Sequence, residues 1–305
     1  MSSLLIIMLM IIMFSTGILT LIVAPFFIYA IVYKSSHLMS TYRTLMIAYI
    51  PFSALTTISI STTVPLYDRK ACRFFFHGFV PFQDGVLSSV LAIIIFINDF
   101  VTTDILLIIL INRYHTVSKH IVSHRRSVYY TFYVLIAITN IIESLTMLLL
   151  LSYSLYPTHI AVKFTFLEDI FLPITGIYQI TRITAFITIV YLNLKFGIKY
   201  ASTSSANVVR LHKMLTKTVV ANVLTTMFFT RLPMLAIVAA ISSNSFDLIN
   251  LAINGGICFM NCAFLSDMLI TLYFVAPYRR FVKSLWRRRT GTVVLVPMIS
   301  TSHLK

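Results

Sequence analysis

Charged residues are scarce in this 305-residue chain, in which Asp, Glu, Lys and Arg make up 11% of the sequence. Soluble domains carry about 25%. Acidic residues are the scarcest, at nine, while hydrophobic residues reach 58%. A soluble fold of this length needs a polar surface that so few charges cannot provide. The composition therefore argues against an ordinary soluble protein and indicates a bilayer as the solvent.

Cysteine is equally sparse, with three residues in the chain. Cys258 and Cys262 stand one helical turn apart in an apolar run, where packing is the expected role. Cys72 has no cysteine partner in its own polar stretch, so no disulfide within the chain is expected. The chain also lacks a Walker A phosphate loop, a Gly-x-Ser-x-Gly elbow and a His-Glu-x-x-His metal motif. We therefore expect neither an enzyme nor a cofactor.

Seven long apolar runs account for most of the sequence. Crossing a bilayer takes roughly 20 helical residues at about 1.5 Å each. Only helices satisfy their own backbone hydrogen bonds in lipid, and the alternating segments of a β-barrel do not fit these runs. The sequence predicts an all-α bundle of seven transmembrane helices, near residues 8–33, 45–66, 86–111, 128–152, 170–195, 216–241 and 248–274.

The domain organisation follows from these runs. We expect one transmembrane domain over residues 1–278 and a basic cytoplasmic tail over residues 279–305. The first run is expected to be retained, because a signal peptide would have a basic start and a shorter apolar core. No sequence repeat is evident.

The stretches between the runs predict the orientation of the bundle. Residues 34–44, 112–127, 195–217 and 275–305 would share one side, and they carry eighteen Lys and Arg with no Asp or Glu. The opposite side carries four bases and five acids. Short basic loops stay cytoplasmic, which predicts an outside N-terminus and an inside C-terminus. The net charge of +15 then needs no nucleic-acid partner, and the basic rim favours anionic inner-leaflet lipids.

The loop INRYHTVSKHIVSHRRS, residues 111–127, poses the question of a metal site, because His120 and His124 are four residues apart. A membrane di-iron site needs many His in several boxes, whereas this chain has eight His in all. Two of them fall on the opposite side of the membrane. The predicted inner loops also hold no carboxylate that could orient a metal-bound His. We therefore expect no metal site.

Six charged residues fall inside the predicted spans, where each is costly in lipid and is expected to face the bundle interior and pair. They are Asp99, Glu143, Arg182 and Arg231 near mid-depth, here called the central polar cluster, and Asp104 and Asp267 in the inner half. Asp99 is expected to bond with Arg182 or Arg231. The cluster would then either line a ligand pocket or fix helix packing as a structural ion pair.

Helix geometry links Asp99 to the inner end of the third span. Asp99 and Arg113 are 14 residues apart, which places them about 40° off a common face. If Arg113 faces into the bundle, Asp99 does too, whereas Asp104 points roughly opposite to Arg113.

Four prolines fall within the predicted spans, at positions 25, 51, 173 and 233. Each removes a helix hydrogen bond and favours a kink. A kink at Pro233, beside Arg231, would let the sixth helix pivot, although passive shaping of the bundle is the simpler interpretation.

Three stretches carry a family likeness. They are APFFIYAIVYKSSHLMSTYRTLMIAY at residues 24–49, Asn112-Arg113-Tyr114 at the end of the third span, and PYRRF at residues 277–281 after the seventh. With seven spans and an outside N-terminus, the chain resembles the nematode serpentine chemoreceptors of the Str superfamily, nearest to the Srh and Sri groups. These are seven-transmembrane G-protein-coupled receptors.

The resemblance implies a chemosensory receptor that senses a small molecule from outside the cell. The ligand would bind among the outer halves of the helices. Arg113 and Tyr114 would couple to a heterotrimeric G protein, and the basic loops at 112–127 and 195–217 would form the docking surface. The expected location is the plasma or ciliary membrane of a sensory neuron.

The sequence departs from the rhodopsin pattern in several places. Asn112 stands where rhodopsin-like receptors carry an acid, and the seventh span lacks their Asn-Pro-x-x-Tyr motif. The rhodopsin activation switches therefore cannot be carried over residue by residue.

Two other functions stay open at this point. A membrane transporter with a mid-bilayer polar site is the main alternative, although transporters more often show repeated halves and broken helices. A ligand-gated channel of the insect odorant type would need an inside N-terminus, which the loop charges oppose.

Overall fold

The structure of the protein is a computed structural model. It describes residues 3–35, 40–68, 73–79, 85–118, 126–155, 172–200, 206–243 and 245–289. Within these ranges seven helices are long and apolar enough to cross a membrane. The predicted fold class, an all-α bundle of seven spanning helices, is confirmed, and the protein is a multi-pass membrane protein.

The spanning helices are numbered in chain order. They are α1 (Ser3–Lys34), α2 (Ser40–Thr63), α3 (Gly85–Ser118), α4 (Arg126–Leu155), α5 (Leu172–Tyr200), α6 (206–242) and α7 (Phe246–Phe274). Helix α3 packs against α2, α4 and α5, while α7 packs against α1, α2 and α6. The third span runs past its predicted end at residue 111, because a helix can continue into water once its backbone is satisfied internally.

Helix α6 contains an irregular turn at its centre. The α-helix Ala206–Thr226 is followed by the π-helical turn Met227–Arg231 and then by the α-helix Leu232–Ser242. The N–H of Leu232 donates to the carbonyl of Met227, five residues back. Pro233 lacks an N–H, and its ring would crowd the carbonyl four residues earlier, so the wider turn accommodates it. The predicted irregularity beside Arg231 thus takes the form of a π-turn.

The end of α2 was predicted three residues too late. The helix stops at Thr63 because Val64 has φ 46° and Pro65 follows it. The chain then forms a two-stranded antiparallel hairpin of β1 (Pro65–Asp68) and β2 (Arg73–Phe76), with Pro65 opposite Phe76. This hairpin, which the sequence reading did not anticipate, marks the end of the bundle that was predicted to face outside.

Hydrogen bonds connect the hairpin and the residues that follow it to α2 and α7. The N–H groups of Gly78 and Phe79 donate to carbonyls of the last turn of α2, each at 2.9 Å. A Cβ at Gly78 would lie 1.9 Å from the Thr62 oxygen, so only glycine permits this approach. Across the bundle, the Asn254 side chain accepts from the Tyr67 N–H at 2.6 Å and donates to the Tyr67 carbonyl at 3.0 Å.

At the other end, the chain forms an eighth helix, α8 (Ala276–Arg289), within the stretch expected to be a basic tail. It begins two residues before the predicted boundary at residue 278, and residues 290–305 lie outside the described part. The Tyr278 side chain is fully buried, and its hydroxyl lies 2.6 Å from Ser35 Oγ. Ser35 donates to the Ile31 carbonyl, so Tyr278 is the donor. Burial raises the pKa of Tyr278, which keeps that proton in place at neutral pH.

The buried side chains form two apolar clusters. The first surrounds Phe27, Leu107, Phe186 and Phe264 towards the end that carries α8. The second surrounds Phe100, Met147, Tyr178 and Met234 towards the end that carries the hairpin. Buried charged and amide side chains lie between them, so the bundle has a polar middle.

Close contact between α1 and α2 gives a test of this packing. A Cβ on Gly17 would lie 2.5 Å from Ser61 Cβ, so Gly17→Ala must push the two helices apart. We expect a loss of about 1–3 kcal/mol, measured as a lower melting temperature of the purified protein. Gly255→Ala is the matched control, because a Cβ there meets no atom within 4 Å. Equal melting temperatures for the two variants would contradict the described α1–α2 contact.

Candidate functional site

Arg231 lies at the centre of the polar middle. The π-turn of α6 carries it inward, where its side chain is fully buried. Its guanidinium donates through Nη1 to Gln179 Oε1 at 2.7 Å and through Nη2 to Asp99 Oδ2 at 3.2 Å. A further short contact joins Nη2 to Thr103 Oγ1. One side chain therefore ties α6 to both α3 and α5.

A second buried ion pair lies beside the first. The guanidinium of Arg182 in α5 lies against the carboxylate of Asp104 in α3. Arg182 Nε is 2.7 Å from Asp104 Oδ1, and Arg182 Nη2 donates to Asp104 Oδ2 at 2.9 Å. The same carboxylate accepts from Asn140 Nδ2 at 2.7 Å, and Arg182 also donates to the Ile136 carbonyl. The Tyr178 ring covers the guanidinium at 4.7 Å. A paired and hydrogen-bonded charge of this kind is what the membrane interior requires.

The two ion pairs show which arginine is the partner of Asp99 and which is the partner of Asp104. Asp99 has Arg231, one of the two partners the sequence allowed, whereas Arg182 bonds with Asp104. Asp104 was predicted to lie in the inner half, outside the central polar cluster, and no partner was named for it. Helix α3 has neighbours on several sides, so Asp99 and Asp104, about 140° apart on its surface, are both buried.

Glu143 of α4 is buried and is not a member of either ion pair. Its Oε1 accepts from Thr175 Oγ1 of α5 at 2.8 Å. Its other oxygen, Oε2, has no hydrogen-bond partner within the described residues. Of the central polar cluster, Glu143 is therefore the member with unused hydrogen-bonding capacity at its carboxylate.

Asp267 of α7 forms a separate polar site. Its Oδ2 accepts from the Tyr49 hydroxyl of α2 at 2.6 Å. A cavity of about 20 Å³ lies against both side chains and against Asp99, which is room for roughly one water molecule. Hydroxyl-bearing residues of α2, α3 and α6 also line it, namely Ser53, Thr56, Thr57, Thr102, Thr103, Thr226 and Thr230, together with the apolar Leu106, Met260, Ala263 and Phe264.

Neutral polar side chains also bond with the buried charges, and these contacts were not predicted from the sequence. Thr175, Gln179 and Arg182 follow one another at four and three residues along α5, so they share one face. That spacing was visible in the sequence. It was a weak signal, because Thr and Gln can also satisfy themselves within a helix.

The inner end of α3 carries the residues predicted to couple to a partner. Arg113 belongs to the helix, but its side chain lies outside the described residues. Tyr114 is half-buried against the apolar cluster around Phe27. The next residue, His115, stacks on Tyr129 of α4 with ring centres 4.2 Å apart.

Within the described ranges, no group of three or more His, Cys, Asp and Glu side chains is placed so that it could hold a metal ion. His120 and His124, the pair that prompted the question, lie outside those ranges, as does Cys72.

Comparison with known families bears on these observations. A family model described as "Serpentine type 7TM GPCR chemoreceptor Srh" matches residues 154–288. The matched stretch contains α5, α6 and α7, with Arg182, Arg231 and Asp267, and most of α8. No curated protein matches the chain. The family match confirms the predicted resemblance to serpentine chemoreceptors, which are a receptor class and not an enzyme class.

Proposed function

Since the chain resembles the serpentine seven-helix chemoreceptors, we propose that it detects a small molecule from outside the cell and activates a heterotrimeric G protein inside. The observation that carries this proposal is the contact of Arg231 with Asp99 and Gln179. It connects α3, α5 and α6 through one buried charge, beside an irregular turn of α6. A ligand that alters these contacts would shift the relative positions of three helices.

Signalling requires that the ligand bind one arrangement of the bundle better than another. The π-turn at Met227–Arg231 supports such a difference, because π-turns are stretches where a helix can change its hydrogen-bond register. The favoured state would open the inner face around Arg113 and Tyr114. Basic side chains of the predicted inner loops would meet the G protein and anionic lipid head groups there.

The proposal also fixes the orientation of the chain. With the N-terminus outside, the hairpin of β1 and β2 faces the exterior and α8 lies along the inner membrane surface. The exposed bases of α8, Arg279, Arg280 and Lys283, then lie on the cytoplasmic side, as short basic segments do.

Epitope tags test this orientation. A tag at the N-terminus is expected to bind antibody in intact cells, and a tag at the C-terminus only after permeabilisation. The physical reason is the concentration of basic residues on the C-terminal side. The reverse pattern would overturn the receptor proposal and favour a channel with an inside N-terminus.

Function is tested by separating signalling from transport. Cells that express the protein with a promiscuous G protein are exposed to a panel of small molecules, and second-messenger levels and compound uptake are both recorded. We expect a second-messenger response without uptake. Uptake without a G-protein response would support the transporter instead.

A further inference from the structure

The buried charges of the bundle do not balance within the described spanning segments. These segments hold four buried carboxyl groups and two buried guanidinium groups, namely Asp99, Asp104, Glu143 and Asp267 against Arg182 and Arg231. Each arginine bonds with one aspartate. Glu143 and Asp267 therefore form no ion pair in the described part of the bundle. A buried carboxylate in this situation is costly unless something else supplies positive charge or hydrogen bonds.

The two remaining acids differ in their depth. Asp267 lies seven residues before the end of α7 at Phe274, towards the predicted inner side. Glu143 bonds with Thr175, which lies three residues after the start of α5 at Leu172, or about 5 Å along the helix. Glu143 is therefore the surplus acid that a molecule from the outside reaches first.

One carboxylate oxygen of Glu143 is a hydrogen-bond acceptor without a donor in the part of the chain that the structure describes. Its side chain is 1% exposed, and Oε2 has no hydrogen-bond partner among the described residues. Gln179 presents a matching donor one helical turn beyond Thr175. Its Oε1 accepts from Arg231, which fixes the orientation of the amide, and its Nε2 then has no partner in the described part of the chain.

Apolar side chains lie near Glu143 and Gln179 in the sequence of the same helices. Met147 follows Glu143 by one turn on the same face of α4 and belongs to the apolar cluster that holds Phe100 and Tyr178. The Phe100 and Tyr178 rings meet edge to face at 5.3 Å. Aromatic faces and a carboxylate together stabilise an organic cation.

We propose that Glu143 and Gln179 form the recognition site for a small protonated amine. The ammonium donates to Glu143 Oε2, an oxygen elsewhere on the ligand accepts from Gln179 Nε2, and the apolar body packs against Phe100, Tyr178 and Met147. The amine supplies the positive charge that the bundle lacks. A carboxylate ligand would add a third uncompensated negative charge. This inference rests on the proposed receptor function and names the ligand class for it.

The sequence adds a feature that favours approach by cations. Glu168 and Asp169 stand four and three positions before Leu172, the first residue of α5, in a stretch predicted to lie on the outer side. Acidic residues on the outer side of a membrane protein raise the local concentration of cations and speed their association.

Ligands of matched shape test the proposal on the purified full-length protein in lipid nanodiscs. The probes are amine, alcohol and carboxylate sets on ethyl, butyl, hexyl and phenylethyl skeletons, for example 2-phenylethylamine, 2-phenylethanol and phenylacetate. Affinity is measured from the ligand-dependent rise in melting temperature. On at least one skeleton we expect the amine to bind about 10- to 100-fold more tightly than the alcohol, with no stabilisation by the carboxylate.

Four variants assign the effect to its residues. Glu143→Gln should reduce the amine to the affinity of its alcohol, and Gln179→Leu should remove any gain of 2-amino-1-phenylethanol over 2-phenylethylamine. Asp247→Asn, which removes an exposed acid at the hairpin-bearing end of α7, should leave amine affinity unchanged. The proposal is overturned if no amine stabilises the protein, if Glu143→Gln binds amines as wild type does, or if Asp267→Asn abolishes amine binding instead.

The outcome is distinguishable from that of the proposed function. Amine binding without any G-protein response would uphold the site and refute the receptor. A G-protein response to neutral or acidic compounds alone would uphold the receptor and refute the amine site.

Discussion

Arg231→Met is expected to remove most of the protein from the cell surface. The substitution leaves the Asp99 carboxylate and Gln179 Oε1 buried without their donor. Breaking a buried ion pair by deleting one partner costs about 3–5 kcal/mol, a large fraction of a typical folding free energy of about 5–15 kcal/mol. Surface labelling of the tagged protein, with total expression measured in parallel, gives the readout.

Second-site variants show whether the pair itself is responsible. Asp99→Asn combined with Arg231→Met removes both charges, so it should recover much of the lost surface expression. The swapped pair Asp99→Arg with Arg231→Asp should recover it as well, because opposite charges meet again. The swap Asp99→Arg with Arg182→Asp should not, since Arg182 bonds with Asp104. Rescue by the Arg182 swap alone, or by none of the three, would refute the described pairing.

Arg113→Ala is expected to leave the protein at the membrane and to abolish its signalling. The residue lies in α3 near the predicted inner end, two residues after the buried Ile111, and the resemblance assigns it to G-protein coupling. In the proposed function Arg113 contacts the G protein, so its removal deletes an interaction needed only in the active complex. The measurement compares second-messenger output with surface expression for any compound that activates the wild type.

A matched arginine controls for the loss of basic charge. Arg280→Ala removes an exposed arginine of α8 on the same predicted side of the membrane. It should retain most of the signalling, because exposed basic residues contribute little individually. Normal output from Arg113→Ala, or equal loss from both variants, would remove Arg113 from the coupling role.

The seven spans could be predicted because lipid imposes one requirement on every crossing segment. Each predicted span overlaps an observed helix, and the largest differences lie where helices extend beyond the apolar run, as α3 does to Ser118. Hydropathy identifies the part of a helix that lies in lipid. It does not show how far the helix continues into a polar segment beyond the lipid. The same limit explains why α8, in which six of the 14 residues are Lys or Arg, was expected to be a tail.

The pairing of charges was only partly predictable. An intramembrane charge must find a partner, so the sequence could require a partner for Asp99 but could not choose between Arg182 and Arg231. The choice depends on the rotation of α3, α5 and α6 about their axes. The π-turn contributes to it, because an extra residue in one turn rotates Arg231 relative to the first half of α6. No apolar periodicity reveals such a turn.

The hairpin was missed for a different reason. Its two strands have four residues each, too few for an alternating pattern to stand out from a loop. What holds them is contact with distant parts of the chain, through Asn254 of α7 and the close approach of Gly78 to α2. Such contacts cannot be read from local sequence.

Ligand-stimulated nucleotide exchange on a purified heterotrimeric G protein is the measurement that tests the central claim most directly. Nanodiscs that contain the wild-type protein, or the Arg113→Ala variant, are mixed with the G protein and with the compounds that stabilise the protein. The account predicts faster exchange with the wild type in the presence of such a compound, and no acceleration with Arg113→Ala. A compound that binds and stabilises the protein, yet accelerates exchange on none of the G-protein classes offered, would contradict it.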